Sequence, residues 1–185
     1  MSEFYYLFAA DSYESPYLYL CHDNLGSELI RGCKNSEFQY IPSKIGVLLL
    51  DENSGDSLPD FICDRVNCVP LISERLKALF DELQIKNLYY QRVSLCRNKD
   101  NLHESYWLAI PPRIDCIDFE RSTIDDMWNT AEVISIDKDK IGNYHIFKLL
   151  KVVNDEIIIT NFLKEQIEKK GFTTGLAFLS DNTLT

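Results

Sequence analysis

The 185-residue sequence lacks the local patterns that mark the commonest kinds of chemical site. Its seven glycines are not clustered, so there is no glycine-rich loop of the kind that holds phosphates or dinucleotides. Its six cysteines form no Cys-x-x-Cys pair, and Cys63 and Cys68 have no second pair or histidine knuckle nearby, which argues against a zinc site. We therefore predict no cofactor and no bound metal.

Long apolar runs and an excess of basic residues are also missing. The apolar run at 45–50 is far too short to cross a bilayer, and the first residues show no secretory signal. The net charge is −10 and the pI about 4.7. Such a charge repels nucleic-acid backbones and anionic lipid but speeds association with a basic protein. We expect a cytoplasmic protein that binds neither nucleic acid nor membranes.

The residues that are present predict one α+β domain over residues 1–185. Apolar residues make up 45% and charged residues 26%, which is ordinary for a globular fold. Two amphipathic helices are predicted at about 73–84 and 161–170, each begun by a hydroxyl N-cap. Short apolar or alternating runs predict strands of a mixed, mainly antiparallel sheet. They lie at 4–8, 17–21, 45–50, 59–64, 69–73, 88–93, 105–110, 114–118, 132–137, 144–149, 156–159 and 174–179.

Two segments have the same order of elements. The strand, hydroxyl cap, helix and strand around Ser73 are repeated around Thr160, 87 residues later. Sequence identity between the two segments is low, and short units of this kind recur by chance. The sequence thus raises the hypothesis of two similar strand–helix–strand halves.

Cysteine and histidine do not form a local catalytic pattern. A nucleophilic cysteine needs a histidine and an orienting group beside it. Cys116 has instead a carboxylate on each side, Asp115 and Asp118, and these would raise the thiol pKa. Cys21 and His22 are adjacent, and neighbours on a strand face opposite sides. We expect Cys116 to be a buried thiol, and His145 to be packed on a strand.

A group of carboxylates beside a tryptophan is the strongest candidate for a binding site. Their spacing matches no metal-binding loop. A solvated acidic surface is one interpretation, and a docking face for lysine or arginine of a partner is the other. The candidate partner-binding residues are Asp115, Asp118, Glu120, Asp125, Asp126 and Trp128.

Several motifs in the same order resemble those of a bacterial family of immunity proteins. They are IDCIDFExS at 114–122, IFKL at 146–149, IIITxxLK at 157–164 and GxTxGLxF at 171–178, preceded by PDF at 59–61 and LISExLK at 71–77, where x is a position outside the motif. The resemblance covers about residues 59–180, and residues 1–55 form a more divergent N-terminal part. One departure is Thr160-Asn161, where serine followed by an acidic residue is more usual in the family.

The resemblance implies a function but no catalytic residues. The family was first described in myxobacteria and long listed as a domain of unknown function. Its members look like cytosolic antidotes encoded beside polymorphic toxins. It implies a non-enzymatic protein that binds and neutralises a cognate toxin domain, and we expect that toxin domain to be encoded by an adjacent gene. Two alternatives stay open: a small cysteine- or carboxylate-based hydrolase, and a non-enzymatic scaffold or regulatory module.

Overall fold

A computed structural model describes residues 3–9, 25–50, 58–63, 69–98, 101–125, 127–153, 155–172 and 175–180. The strands among these residues, numbered β1 to β12, are Phe4–Ala9, Val47–Leu49, Phe61–Cys63, Pro70–Ser73, Tyr89–Arg97, Leu102–Ile110, Arg113–Ile114, Thr123–Asp125, Thr130–Val133, Ile146–Leu149, Ile157–Thr160 and Leu176–Leu179. The helices, α1 to α4, are Ser27–Asn35, Glu74–Glu82, Lys138–Ile141 and Asn161–Lys169.

Ten of these strands form two five-stranded sheets. The C-terminal sheet has the order β12-β1-β11-β10-β7, and the N-terminal sheet has the order β2-β5-β6-β4-β3. Strands β8 and β9 form a separate hairpin. Neighbouring strands are antiparallel except at one edge of each sheet, where β7 lies parallel to β10 and β2 parallel to β5. The prediction of a mixed, mainly antiparallel α+β fold is confirmed.

Each sheet contains the same strand–helix–strand unit. Strands β4 and β5 flank α2, and strands β11 and β12 flank α4. In both units a third strand lies antiparallel between the flanking pair: β6 in the N-terminal sheet and β1 in the C-terminal sheet. The first residues of the chain thus complete a sheet whose other strands all come from the second half.

The two helices begin and end in the same way. The hydroxyl oxygens of Ser73 and Thr160 accept hydrogen bonds from the amides of the third following residues, at 3.1 and 3.4 Å. After each helix one residue has a positive φ, Gln84 at 57° and Gly171 at 73°. The next amide then bonds back to the carbonyl five residues earlier, which is the Schellman ending of a helix. Both predicted N-caps are confirmed.

Three apolar clusters hold the elements together. A central core takes residues from one face of each sheet and from helices α2 and α4, including Ile72, Phe80, Ile159 and Ile167. A second cluster covers the other face of the N-terminal sheet with α1. A third covers the other face of the C-terminal sheet with the chain between β7 and α3. That third cluster positions the candidate site.

Helix α1 was not predicted from the sequence. Its N-cap residue, Gly26, has no side chain to cap the helix, and Gly32 lies inside it, so local propensity is weak. A side chain at position 32 would overlap Ile41, which explains the glycine. The C-terminal carbonyls of α1 are bonded from the other sheet: Lys148 Nζ, fully buried, donates to the Cys33 oxygen at 3.0 Å, and Arg113 donates to the Lys34 oxygen at 3.0 Å.

Two other strand predictions had different outcomes. The run at 45–50 was expected to be a buried strand, but β2 is an edge strand and Val47 is half exposed. An edge position follows from its single partner, β5. The predicted strand at 17–21 lies outside the described residues. Within the described part of the chain, no helix combines the length and the apolar character that crossing a membrane requires.

Candidate partner-binding surface

The segment after β7 covers one face of the C-terminal sheet. Only Arg113–Ile114 are in a regular strand, whereas a strand was expected through residue 118. Beyond β7, Ile117 makes an isolated bridge to Ile136, and the Asp118 amide donates to the Ser135 oxygen at 2.9 Å. Cys116 and Ile117 are buried in the third cluster. Burial of these two residues turns the flanking Asp115 and Asp118 toward the surface.

Three of the predicted carboxylates already have partners within the chain. Asp115 forms an ion pair with Lys151 at 2.5 Å, and Asp118 forms one with Arg121 at 3.5 Å. Asp118 also accepts the Glu120 amide at 3.1 Å. Asp125 Oδ1 accepts the backbone amides of both Met127 and Trp128.

The remaining predicted residues differ from these three. Glu120 is exposed, and no partner for its carboxylate is found among the described residues. Trp128 is 69% exposed at the turn of the β8–β9 hairpin. Asp126 lies outside the described residues. The structure therefore gives the five described candidates unequal freedom to meet a partner.

Four exposed apolar residues beside them were not predicted. Met127 is 82% exposed, Val153 53%, Phe119 51% and Leu150 41%. We call these four residues together with Trp128 the Trp128 surface. Exposed apolar side chains gathered at one place commonly mark a protein–protein contact. The available signal was the presence of large apolar residues inside polar turns, such as Met127-Trp128 between Asp126 and Asn129.

The bend at residues 150–153 brings the two parts of the Trp128 surface together. The Leu150 amide donates to the Ile114 oxygen, and the Val153 amide donates to the Asn129 oxygen, both at 2.9 Å. Lys151 Nζ, between them, lies 5.7 Å from the centre of the Phe119 ring. The bend therefore joins the segment after β7 to the hairpin that carries Trp128.

Asp115 and Asp118 also act on Lys140, in helix α3. The Asp137 carboxylate, by a side-chain hydrogen bond, raises the pKa of the Lys140 ammonium, and the charges of Asp115 and Asp118 raise it further. Burial, aided by Asp115, raises the pKa of the Cys116 thiol to about 11. A thiol held protonated in this way is a poor nucleophile. The expected effect of the flanking carboxylates is found for Asp115, although burial is the larger cause.

Other groups with chemical potential lie elsewhere. His145 Nδ1 is 3.0 Å from the Thr160 hydroxyl, and its ring packs on Phe162. Burial lowers the His145 pKa. Cys96 Sγ is 3.7 Å from His103 Nε2 across β5 and β6, a thiol–imidazole contact that the sequence did not predict. The described residues contain no group of three or more His, Cys, Asp or Glu placed to hold a metal ion.

Comparison with known families now adds to this geometry. The model of the immunity protein family (Imm11) matches residues 25–180. The chain belongs to this family. The Imm11 match includes both strand–helix–strand units, the segment after β7 and every residue of the Trp128 surface. It also takes in α1, which begins at residue 27. No match is found among curated proteins.

Proposed function

We propose that the chain is an immunity protein that binds a cognate toxin domain in the cytoplasm and neutralises it by protein–protein contact. Membership of Imm11 supports an immunity function. The toxin domain would be the product of an adjacent gene. The proposal requires neither a catalytic residue nor a cofactor.

The observation that carries the proposal is the Trp128 surface with its carboxylates. Trp128 and Met127 are the most exposed large apolar side chains of the described residues, and an exposed tryptophan is a frequent energetic centre of interfaces. The acidic residues next to it, and a net charge of −10, favour a basic partner. Charge complementarity of this kind chiefly increases the association rate.

Co-expression tests the proposal directly. Cells that produce the toxin domain of the neighbouring gene should survive when this chain is also produced, and the two proteins should co-purify. Phe119→Ala should weaken both effects. Leu179→Ala is a matched control, because Leu179 is also 51% exposed but lies on β12, at the opposite edge of the C-terminal sheet from β7. Absence of both protection and co-purification with the wild-type chain would contradict the proposal.

A small hydrolase is the second candidate, and the contact between Cys96 and His103 is the observation that favours it. Catalysis by this pair, or by the residues that the sequence singled out, can be tested by separate substitutions. We expect Cys96→Ser, Cys116→Ser and His145→Gln to leave protection intact. Asp118→Asn should change protection only as far as it changes toxin affinity. Loss of protection in Cys96→Ser, with toxin binding unchanged, would favour the hydrolase.

A scaffold or regulatory module is the third candidate. It shares the prediction of protein binding but not that of protection. A chain that binds the neighbouring gene product without relieving its toxicity would belong to this class.

A further inference from the structure

The Asp125 carboxylate accepts two backbone amides of the turn that carries Trp128. Asp125 Oδ1 accepts the Met127 amide at 2.8 Å and the Trp128 amide at 3.0 Å. This side-chain-to-backbone pattern fixes a turn locally, and an asparagine can make it as well as an aspartate. The Asp125 carboxylate therefore binds within its own hairpin, where it orders the backbone of Met127 and Trp128.

Two of the other acidic side chains are also engaged, in ion pairs within the chain. Asp115 is paired with Lys151 and Asp118 with Arg121, so each carries a cation of its own chain. Glu120 is exposed and has no such cation among the described residues. Among the candidate carboxylates that the structure describes, Glu120 is thus the one whose side chain has neither a cation nor a backbone amide as partner, and it lies next to Phe119.

We infer that Trp128 is the preordered anchor of the interface, that Asp125 is its positioning residue, and that Glu120 makes the main charged contact. This inference rests on the proposed function and deepens it. A turn ordered before binding lowers the entropy that association must offset. The five exposed apolar side chains would supply the contact area.

The same arrangement defines the chemistry of the partner. The toxin domain should present an apolar recess for Trp128 and Met127, with a lysine or arginine at its edge opposite Glu120. The net charge of −10 agrees with a basic edge. A second copy of this chain fits less well, because two copies of this face would bring Glu120 and the other carboxylates of each together.

Substitutions at position 125 separate charge from positioning. With the purified toxin domain of the neighbouring gene as the probe, Asp125→Ala should weaken binding about tenfold, because the turn loses its acceptor. Asp125→Asn keeps the acceptor and removes the charge, so its Kd should stay within about threefold of wild type. Trp128→Ala should weaken binding about 30-fold, the scale of an interface hot spot.

At Glu120, in contrast to Asp125, the charge itself should matter for binding. Glu120→Gln should lower the association rate about three- to tenfold at low salt and reduce the salt dependence of that rate. Glu28→Gln removes an exposed charge on α1, which packs on the other sheet, and should leave the rate unchanged. Circular dichroism would establish that every variant is folded.

The outcomes are distinguishable. If the wild-type chain does not bind the toxin domain, the proposed function fails and the inference fails with it. If wild type binds and Trp128→Ala binds equally well, only the inference fails. If Asp125→Asn and Asp125→Ala lose the same amount of affinity for the toxin domain, the positioning role of Asp125 is overturned. Sedimentation of the free chain should show a monomer, and a dimer that Trp128→Ala dissociates would mean that a second copy occupies the surface.

Discussion

The residues that end α2 and α4, Gln84 and Gly171, occupy equivalent positions, but exchanging each for the other kind of residue should change the free energy of unfolding in opposite directions. Gln84 and Gly171 are both exposed and both have a left-handed backbone, with φ of 57° and 73°. A left-handed conformation costs a residue with a Cβ about 1–2 kcal/mol. Glycine avoids this cost but loses about 0.5–1 kcal/mol more conformational entropy on folding. The net advantage of glycine at either position is therefore about 0.5–1 kcal/mol, by the difference of these two terms.

Substitution in both directions tests that reasoning. Gln84→Gly should raise the free energy of unfolding by about 0.5–1 kcal/mol, and Gly171→Ala should lower it by a similar amount. A β-carbon at position 171 meets no other atom within 4 Å, so packing does not confuse the comparison. Urea unfolding followed by circular dichroism measures both changes, and each kcal/mol corresponds to about 2–4 °C in Tm for a chain of this size. Changes of the same sign in the two variants would refute the equivalence of the two helix ends.

Three further predictions concern stability and reactivity. Gly175→Ala should destabilise the chain by clearly more than Gly171→Ala. The φ of Gly175 is also positive, at 78°, and the added Cβ would overlap Pro59 and the Phe61 carbonyl. Equal urea midpoints for the two variants would contradict this close approach of residue 175 to Pro59 and β3. Burial lowers the His145 pKa below its ordinary 6.5, so its contribution to stability is full above that pH and is lost as the pH falls. Urea midpoints should therefore fall more steeply from pH 7 to 5 in wild type than in His145→Gln, and parallel curves would be the contrary result. Burial raises the pKa of the Cys116 thiol from 9.0 to about 11. At pH 8 this thiol should therefore react with a thiol reagent roughly 100-fold more slowly in the folded chain than in urea. Mass spectrometry of the labelled peptide measures both rates, and equal rates would contradict the burial of Cys116.

Local patterns predicted the two central helices well. Ser73 and Thr160 are hydroxyl caps, and most of the apolar residues predicted for the two helices, such as Leu76 and Leu163, are buried, although Phe162 is 43% exposed. Such signals lie within a dozen residues and need no knowledge of the rest of the chain. The strands flanking these helices were predicted for the same reason.

Long-range features could not be predicted in that way. Nothing in the first strand indicates that β1 lies between β11 and β12, more than 140 residues later in the chain. Helix α1 is weak by local propensity, and its last carbonyls are satisfied by Lys148, 115 residues from Cys33. Tertiary contacts of this kind override local preference.

The binding role of the candidate residues stays a prediction. The sequence singled out the carboxylates and Trp128 by residue type, and the five that the structure describes are all at least partly exposed. The sequence could not reveal that Asp125 is engaged by backbone amides, or that Leu150 and Val153 join the surface through a bend far along the chain. Whether an apolar residue is exposed depends on the fold, so from the sequence alone Leu150 and Val153 cannot be distinguished from buried core residues.

The most direct test of the account compares binding with protection across one set of variants. Wild type, Phe119→Ala, Trp128→Ala, Asp125→Asn and Leu179→Ala would each be measured for Kd against the toxin domain and for growth of toxin-producing cells. We predict that protection falls in step with affinity, with Asp125→Asn and Leu179→Ala close to wild type and Trp128→Ala the weakest. Full protection by a folded variant that no longer binds the toxin would contradict neutralisation by contact.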